Sequence, residues 1–159
     1  MDKQQILILG INSISETMIE TLNRYGHHLT IIDDDAMRVN RLRSRYDINI
    51  IEQNPCYPQT LQNANLDNTK ALIALTESDE TNFVACHIAH SIHPITSTVA
   101  CFSQTQYLWD TPKPKYATPI TRALSKSKSI FDDIDLLIKH PGFYHINELS
   151  NHYVCASID

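Results

Sequence analysis

The fold is decided near the start of the chain, by the stretch Ile6-Leu7-Ile8-Leu9-Gly10-Ile11-Asn12-Ser13-Ile14-Ser15. Four consecutive apolar residues predict a buried strand, and Gly10 stands where the chain must turn tightly out of it. A helix follows, because apolar residues recur at helical spacing from Ile14 to Tyr25 before Gly26 ends the pattern. A strand, a glycine turn and a helix in this order are typical of a phosphate-binding loop.

The loop departs from the G-x-G-x-x-G pattern at two positions. In that pattern the second glycine lets the backbone approach a pyrophosphate and the third lets the helix pack on the strand. Asn12 and Ser15 stand at these positions. Asn tolerates positive φ and Ser is small, so we expect the loop to keep its shape, with the Asn12 side chain in the pyrophosphate space. Ser13-x-x-Glu16 is predicted to form a capping box.

Apolar runs alternate with helical segments along the first hundred residues, which is typical of βαβ units. Strands are predicted over 6–9, 29–32, 48–51, 71–75 and 98–102, and further helices over 36–46, from residue 58, and over 79–92. The predicted fold class is therefore α/β, a Rossmann-like doubly wound parallel sheet in three layers.

The last third of the chain has a different character. Pro112, Pro114 and Pro119 prevent regular structure between them, which predicts a first domain over 1–118 and a second segment over 119–159. In that segment Ser129-x-x-Asp132 begins an amphipathic helix over 130–138, which Pro141-Gly142 ends. Two short extended pieces are expected over 144–146 and 153–157.

Asp33 ends the second predicted strand, 23 positions after Gly10. An acidic residue at this place in a dinucleotide-binding fold bonds the ribose hydroxyls and disfavours a 2′-phosphate. The alternative is that Asp33, Asp34 and Asp35 only end a strand and cap a helix.

Composition excludes several classes of function. A formal net charge of −5 argues against a nucleic-acid partner. No apolar run approaches the roughly 18 to 20 residues of a membrane span, and the first residues do not form a signal peptide, so we expect a cytoplasmic protein without direct membrane insertion. The four cysteines form no C-x-x-C pair, which predicts reduced thiols.

Two stretches add to Gly10 and Asp33 and together resemble one family. They are Thr76-Glu77-Ser78-Asp79-Glu80-Thr81-Asn82 and Ile138-Lys139-His140-Pro141-Gly142. Over nearly its whole length the chain resembles the TrkA-like regulators of potassium conductance, called RCK or KTN domains. The resemblance implies a regulatory subunit of a Trk-type potassium transport system that binds NAD(H), ADP or ATP and is not an enzyme. It also implies a homodimer joined by a dimerising helix over 130–138, a membrane potassium transporter or channel as partner, and a place at the inner face of the cell membrane.

The same resemblance implies roles for eight cofactor-binding residues. The pyrophosphate is lined by Gly10, Asn12 and Ser15, the ribose is bound by Asp33, the adenine is flanked by Asn54 and Pro55, and the crevice is closed by Thr76 and Glu80. Because the glycine motif is degenerate, the alternative is a dimerisation or docking module of the same fold that binds no nucleotide.

Two other classes of function have weaker support. Cys86, His87, His90 and His93 lie on or just past the fourth predicted helix, but three-residue steps rotate the imidazoles away from a common face, so no metal site is expected. A small NAD-dependent oxidoreductase is the rival on the same fold. No tyrosine begins a Y-x-x-x-K pair, and the chain contains neither a G-x-S-x-G elbow nor a Walker sequence.

Overall fold

The computed structural model describes residues 3–108, 118–125, 145–150 and 153–157. Its main feature is a six-stranded sheet in the order β3-β2-β1-β4-β5-β6. The strands are β1 (Gln5–Leu9), β2 (His28–Asp33), β3 (Asn49–Glu52), β4 (Thr69–Ala74), β5 (Ser97–Phe102) and β6 (Arg122–Ser125). Neighbouring strands from β1 to β5 pair in parallel, with Ile8 beside Ile31 on one side and Ile73 on the other. This is the strand order of a doubly wound Rossmann sheet, so the predicted fold class is confirmed.

In the described part of the chain, four α-helices connect the strands: α1 (Ser13–Arg24), α2 (Ala36–Arg43), α3 (Pro58–Gln62) and α4 (Asp79–Ile92). All four were expected, and Pro58 occupies the first turn of α3, where its fixed φ suits a helix start. The second helix is shorter than the predicted 36–46, because Ser44 already closes it with its backbone N–H on the carbonyl of Asn40.

The core lies on both faces of the sheet, as alternation along β1 requires. Leu7 and Leu9 pack in one cluster with side chains of α4 and β5, whereas Ile6 and Ile8 pack in the other with side chains of α1 and α2. All four are at most 6% exposed. The domain therefore has three layers, with helices above and below the sheet.

The sixth strand was not predicted, because it follows the proline-rich stretch that the sequence assigns to a loop. Backbone and side chain of Thr121 bond Thr98 in β5, and Ile120 is fully buried in the core. The chain divides into two compact units, Met1–Leu124 and Ser125–Asp159. The predicted boundary between residues 118 and 119 stays a prediction.

In the second unit, β7 (His145–Ser150) and β8 (Tyr153–Ser157) form an antiparallel pair. The extended piece predicted over 144–146 is thus longer than expected, and the one over 153–157 is found as predicted. The predicted amphipathic helix over 130–138 lies outside the described residues, so its dimerising role stays a prediction. Within the described ranges, no helix is long and apolar enough to cross a membrane.

Candidate functional site

A cavity of about 180 Å³ opens at the carboxyl ends of β1, β2 and β4. The connections from β1 and β4 leave in opposite directions here, and ligands of doubly wound sheets bind at this switch point. The cavity is lined by Gly10, Ile11, Asn12, Asp33, Asp34, Arg38, Asn54, Pro55, Leu75, Thr76, Glu77, Ser78 and Thr81. We refer to it below as the cleft.

Six of the eight residues that the sequence nominates line the cleft, namely Gly10, Asn12, Asp33, Asn54, Pro55 and Thr76. The other two lie outside its lining. Ser15 is fully buried beneath the loop, and Glu80 is exposed on α4, where its carboxylate accepts a hydrogen bond from the Ser78 hydroxyl. Their roles toward a nucleotide stay predictions.

Gly10 is required at its position for two reasons. Its φ of +94° lies in the region that side chains disfavour, and a Cβ placed on it would lie 2.7 Å from the backbone nitrogen and Cα of Thr76. The residue after β1 therefore passes directly against the backbone just beyond the end of β4. This contact closes the base of the cleft.

Asn12 has a structural role that the sequence did not indicate, and its predicted role at the pyrophosphate stays a prediction. Its φ of −149° is extended, so the position does not call for a residue that tolerates positive φ. Its side-chain oxygen accepts the backbone N–H groups of Ile14 and Ser15 at 3.0 and 3.1 Å, and its side-chain nitrogen donates to the Leu75 carbonyl at 2.6 Å. Asn12 is thus the N-cap of α1 and bridges the loop to the end of β4.

The capping box predicted for Ser13 and Glu16 is wrong by one residue. The N-cap is Asn12, and the reciprocal partner is Ser15, whose hydroxyl accepts the Asn12 backbone N–H at 2.8 Å. Glu16 instead turns toward α2, where the guanidinium groups of Arg41 and Arg45 pair with its carboxylate. The sequence alone does not distinguish the two positions, because Asn12 and Ser13 are both of a residue type that is favoured as an N-cap.

Asp33 is held inside the protein, with 4% of its surface exposed. One carboxylate oxygen accepts the backbone N–H of Ile11 at 2.6 Å, and the other accepts the N–H of Asp35 and the Arg38 guanidinium at 2.8 and 3.1 Å. Asp33 therefore has a structural role at the end of β2, as the alternative interpretation of the sequence expected. A ribose hydroxyl would have to share these oxygens, and each oxygen of a carboxylate accepts about two hydrogen bonds.

Arg38 is a cleft residue that the sequence analysis missed. Its side chain is about one third exposed and lies between Asp33 and Asp35, at 3.1 and 3.5 Å. Burial opposes its charge, but the hydrogen bond and charge of Asp33 outweigh burial and raise the pKa of Arg38. The backbone N–H of Arg38 in turn lowers the pKa of Asp35, which caps α2. An arginine in the first turn of the helix after the acidic strand end was the signal available in the sequence.

The Asp79-to-Asn82 motif holds the loops beside the cleft. Asn82 is fully buried and exchanges hydrogen bonds with backbone and side chain of Thr76, and it also donates to the Cys101 carbonyl at 2.8 Å. Asp79 accepts the backbone N–H groups of Ser103 and Gln104, both at 2.8 Å. The motif thus fixes the ends of β4 and β5 and has a positioning role.

Two regions outside the cleft also contain histidine, cysteine or acidic side chains. A polar cavity of about 430 Å³ lies at the opposite edge of the sheet, among residues that include His27, His28 and Asp47. On the α4 side, the ring of His87 bonds the Phe83 carbonyl and Cys86 is buried. In the part of the chain that the structure describes, no three potential metal ligands come together.

A parallel sheet in this order, with its cleft at the switch point, defines a Rossmann-like α/β domain. Within that class, the TrkA-N domain family model matches residues 6–111. The chain belongs to this family, as the Asp79-to-Asn82 motif indicates.

Known relatives agree with this assignment. The Trk system potassium uptake protein TrkA of Halomonas elongata is 34% identical over 149 residues, which are 92% of this chain and 32% of that protein. The chain therefore spans about a third of the length of that relative. Among solved structures, the TrkA-N domain of the inner membrane protein ybaL from Escherichia coli has a TM-score of 0.70 at 18% identity, covering 86% of this chain and 98% of that one. The GsuK channel bound to NAD has a TM-score of 0.60 at 21% identity, covering 67% and 19%.

Proposed function

We propose that this chain is the nucleotide-binding regulatory domain of a Trk-type potassium transport system and catalyses no reaction. The observation that carries the proposal is the cleft at the sheet's switch point, where Gly10, Asp33 and Thr76 converge from three strands. The 34% identity to the Halomonas potassium uptake protein supports the biological role. The solved structure of the GsuK channel bound to NAD supports the proposal that the ligand is a nucleotide.

The described residues of the cleft include groups that could bind a nucleotide but no set that would transform one. Asp33 already accepts three donors, and Arg38 is tied to it. Neither is poised to transfer a proton, because the carboxylate stays paired with a guanidinium. Such a site is best suited to bind a ligand that changes the conformation of the assembly.

Regulation would follow from a shift in population. A ligand that fits one arrangement of paired domains better than another biases the assembly by its difference in affinity. In this proposal the chain forms a homodimer and acts on a membrane potassium transporter or channel from the cytoplasmic side. The predicted helix over 130–138 would carry the contact between subunits.

One observation favours a second candidate, a docking module that binds no nucleotide. The Asn12 side chain occupies the N-terminal end of α1, where its oxygen accepts the backbone N–H groups of Ile14 and Ser15 at 3.0 and 3.1 Å. In a phosphate loop these N–H groups point at the ligand. The two candidates differ in whether anything enters the cleft.

Calorimetric titration of the purified chain with NADH, NAD, ATP, ADP and AMP separates them. The variant to compare is Arg38→Gln, with Arg41→Gln as a matched control, because Arg41 lies on the same helix but pairs with Glu16. Micromolar binding of at least one nucleotide, weakened in Arg38→Gln and kept in Arg41→Gln, is expected. Silence from all five with a folded chain would leave only the docking module.

A further inference from the structure

We infer that the cleft selects a nucleoside or nucleoside monophosphate over ligands with longer phosphate chains, and that Asn12 sets this preference. The inference rests on the nucleotide-binding function proposed above and specifies its ligand class. Three properties of the cleft carry it: the occupied backbone donors, the balance of charge, and the volume.

The first property is that several of the loop's N–H groups already have acceptors within the chain. The amides of Ile14 and Ser15 donate to the Asn12 side chain, the amide of Glu16 to the Asn12 carbonyl, and the amide of Ile11 to Asp33. In phosphate-binding loops these are the groups that neutralise an anion. Here the carboxamide of Asn12 takes the position of the anion.

The carboxamide is also fixed in place. Its nitrogen donates to the Leu75 carbonyl at 2.6 Å, on the opposite wall of the cleft. Before a phosphate could bind the backbone amides of Ile14 and Ser15, the Asn12 side chain would have to break this bond together with its two cap bonds. A pyrophosphate thus competes with three hydrogen bonds that the chain makes by itself, whereas a nucleoside does not.

The second property is charge. The cleft lining contains three carboxylates, those of Asp33, Asp34 and Glu77, and Arg38 is the one lysine or arginine among the lining residues that the structure describes. That guanidinium is itself bonded to Asp33 at 3.1 Å and lies 3.5 Å from Asp35. Each phosphate added to a ligand would therefore meet excess negative charge at short range.

The third property is volume. At about 180 Å³ the cleft is smaller than the roughly 300 to 1,000 Å³ of pockets that enclose drug-sized ligands. Buried apolar side chains of Ile11 and Leu75, at 2% and 4% exposure, form part of its wall and suit a base or sugar. A cleft of this volume favours a ligand smaller than a dinucleotide.

The test is a calorimetric series with adenosine, AMP, ADP and NAD on the whole chain and on three variants. Asn12→Gly frees the two amides and restores the glycine of the loop. Asn12→Ser shortens the side chain but keeps a good N-cap, so the amides stay occupied. Asn23→Gly repeats the Asn-to-Gly change in the same helix, at its opposite end and outside the cleft.

Adenosine and AMP are expected to bind at least about tenfold more tightly than ADP and NAD, a difference of about 1.4 kcal/mol. Asn12→Gly should improve the affinity for ADP relative to that for adenosine by about tenfold, and the other two variants should not change this ratio. Raising the salt concentration should strengthen ADP binding to the unmodified chain, because salt screens the excess carboxylates.

The outcomes that overturn the inference are distinct from those that overturn the proposed function. Tighter binding of ADP or NAD than of adenosine would refute the preference and leave the nucleotide function standing. An equal gain of ADP affinity in Asn12→Ser would refute the role of the capped amides. Absence of binding by all four ligands to the unmodified chain and to Asn12→Gly, with both folded, would refute function and preference together.

Discussion

The carboxylate of Asp33 accepts the backbone N–H of Ile11 over 2.6 Å and so joins the end of β2 to the loop that leaves β1. The bond lies inside the protein, since Asp33 is 4% and Ile11 2% exposed. An acidic residue at this position therefore shapes the cleft before any ligand arrives. Its contribution to stability and its contribution to binding have to be measured separately.

Replacement of that carboxylate should destabilise the fold. Asp33→Asn removes the negative charge and replaces one accepting oxygen by an NH2 donor, so either the Ile11 amide or the Arg38 guanidinium loses its acceptor. We expect a loss of about 2 to 3 kcal/mol in the free energy of unfolding. Urea denaturation followed by circular dichroism measures this loss. The control is Asp34→Asn, since Asp34 is exposed and should change stability by less than about 0.5 kcal/mol. Equal effects of the two substitutions would refute the structural role of Asp33.

Gly10 and Gly26, which both have positive φ, should differ in their tolerance of alanine. Gly10→Ala combines a φ of +94° with a Cβ 2.7 Å from Thr76 backbone, whereas Gly26→Ala has a φ of +78° and meets only the end of the Lys3 side chain at 3.4 Å. Gly26→Ala should cost about 1 to 2 kcal/mol from backbone strain alone, and Gly10→Ala clearly more. Thermal and urea denaturation of both variants compare them. A Gly10→Ala protein as stable as Gly26→Ala would contradict the close approach of β1 and β4.

Within the Asp79-to-Asn82 motif, substitution of Asn82 should lower the free energy of unfolding the most. Asn82→Ala removes bonds to Thr76 and Cys101 from a fully buried site, so we expect a loss of about 3 kcal/mol in the free energy of unfolding. The matched control is Asn68→Ala, whose side chain is exposed and bonds only its neighbour Asn65 among the described contacts. A loss below about 1 kcal/mol at Asn82 would show that its network contributes little.

The thiol of Cys86 should be unreactive in the folded protein. Burial raises its pKa to about 12, with a smaller contribution from Cys56, so roughly one molecule in ten thousand carries the thiolate at pH 8. Iodoacetamide at pH 8 should therefore label Cys86 only after unfolding, as peptide mass spectrometry would show. Because the folded pKa is the higher one, this group's contribution to stability is complete below pH 9 and declines as the pH rises toward 12. Rapid labelling of Cys86 in the native chain would contradict its burial.

Much of the domain could be predicted from sequence because its signals are local. Apolar runs bounded by turn residues gave all five strands from β1 to β5, and helical spacing gave α1 and α4. The sixth strand escaped because Thr121 and Ile120 stabilise it through contacts with β5, which are distant in sequence.

The site was predicted less completely than the fold, for a physical reason. Gly10 and Asp33 have roles set by strand ends, and both line the cleft. The capping box was assigned to Ser13 and Glu16 and not to Asn12 and Ser15, because a shift of one residue in the helix start changes which side chain caps it. Arg38 escaped because its place depends on the buried charge of Asp33, which only the packed structure reveals.

The proposed function requires that a nucleotide binds at the carboxyl edge of the sheet. The most direct measurement is a nitrogen-15 NMR titration of the labelled chain with AMP and, separately, with ADP. We predict saturable shifts of the Gly10, Asp34 and Thr76 amides and unchanged signals from Asn23 and Asp47, which lie at the opposite edge. No saturable shift with either ligand, or shifts confined to the opposite edge, would contradict the claim.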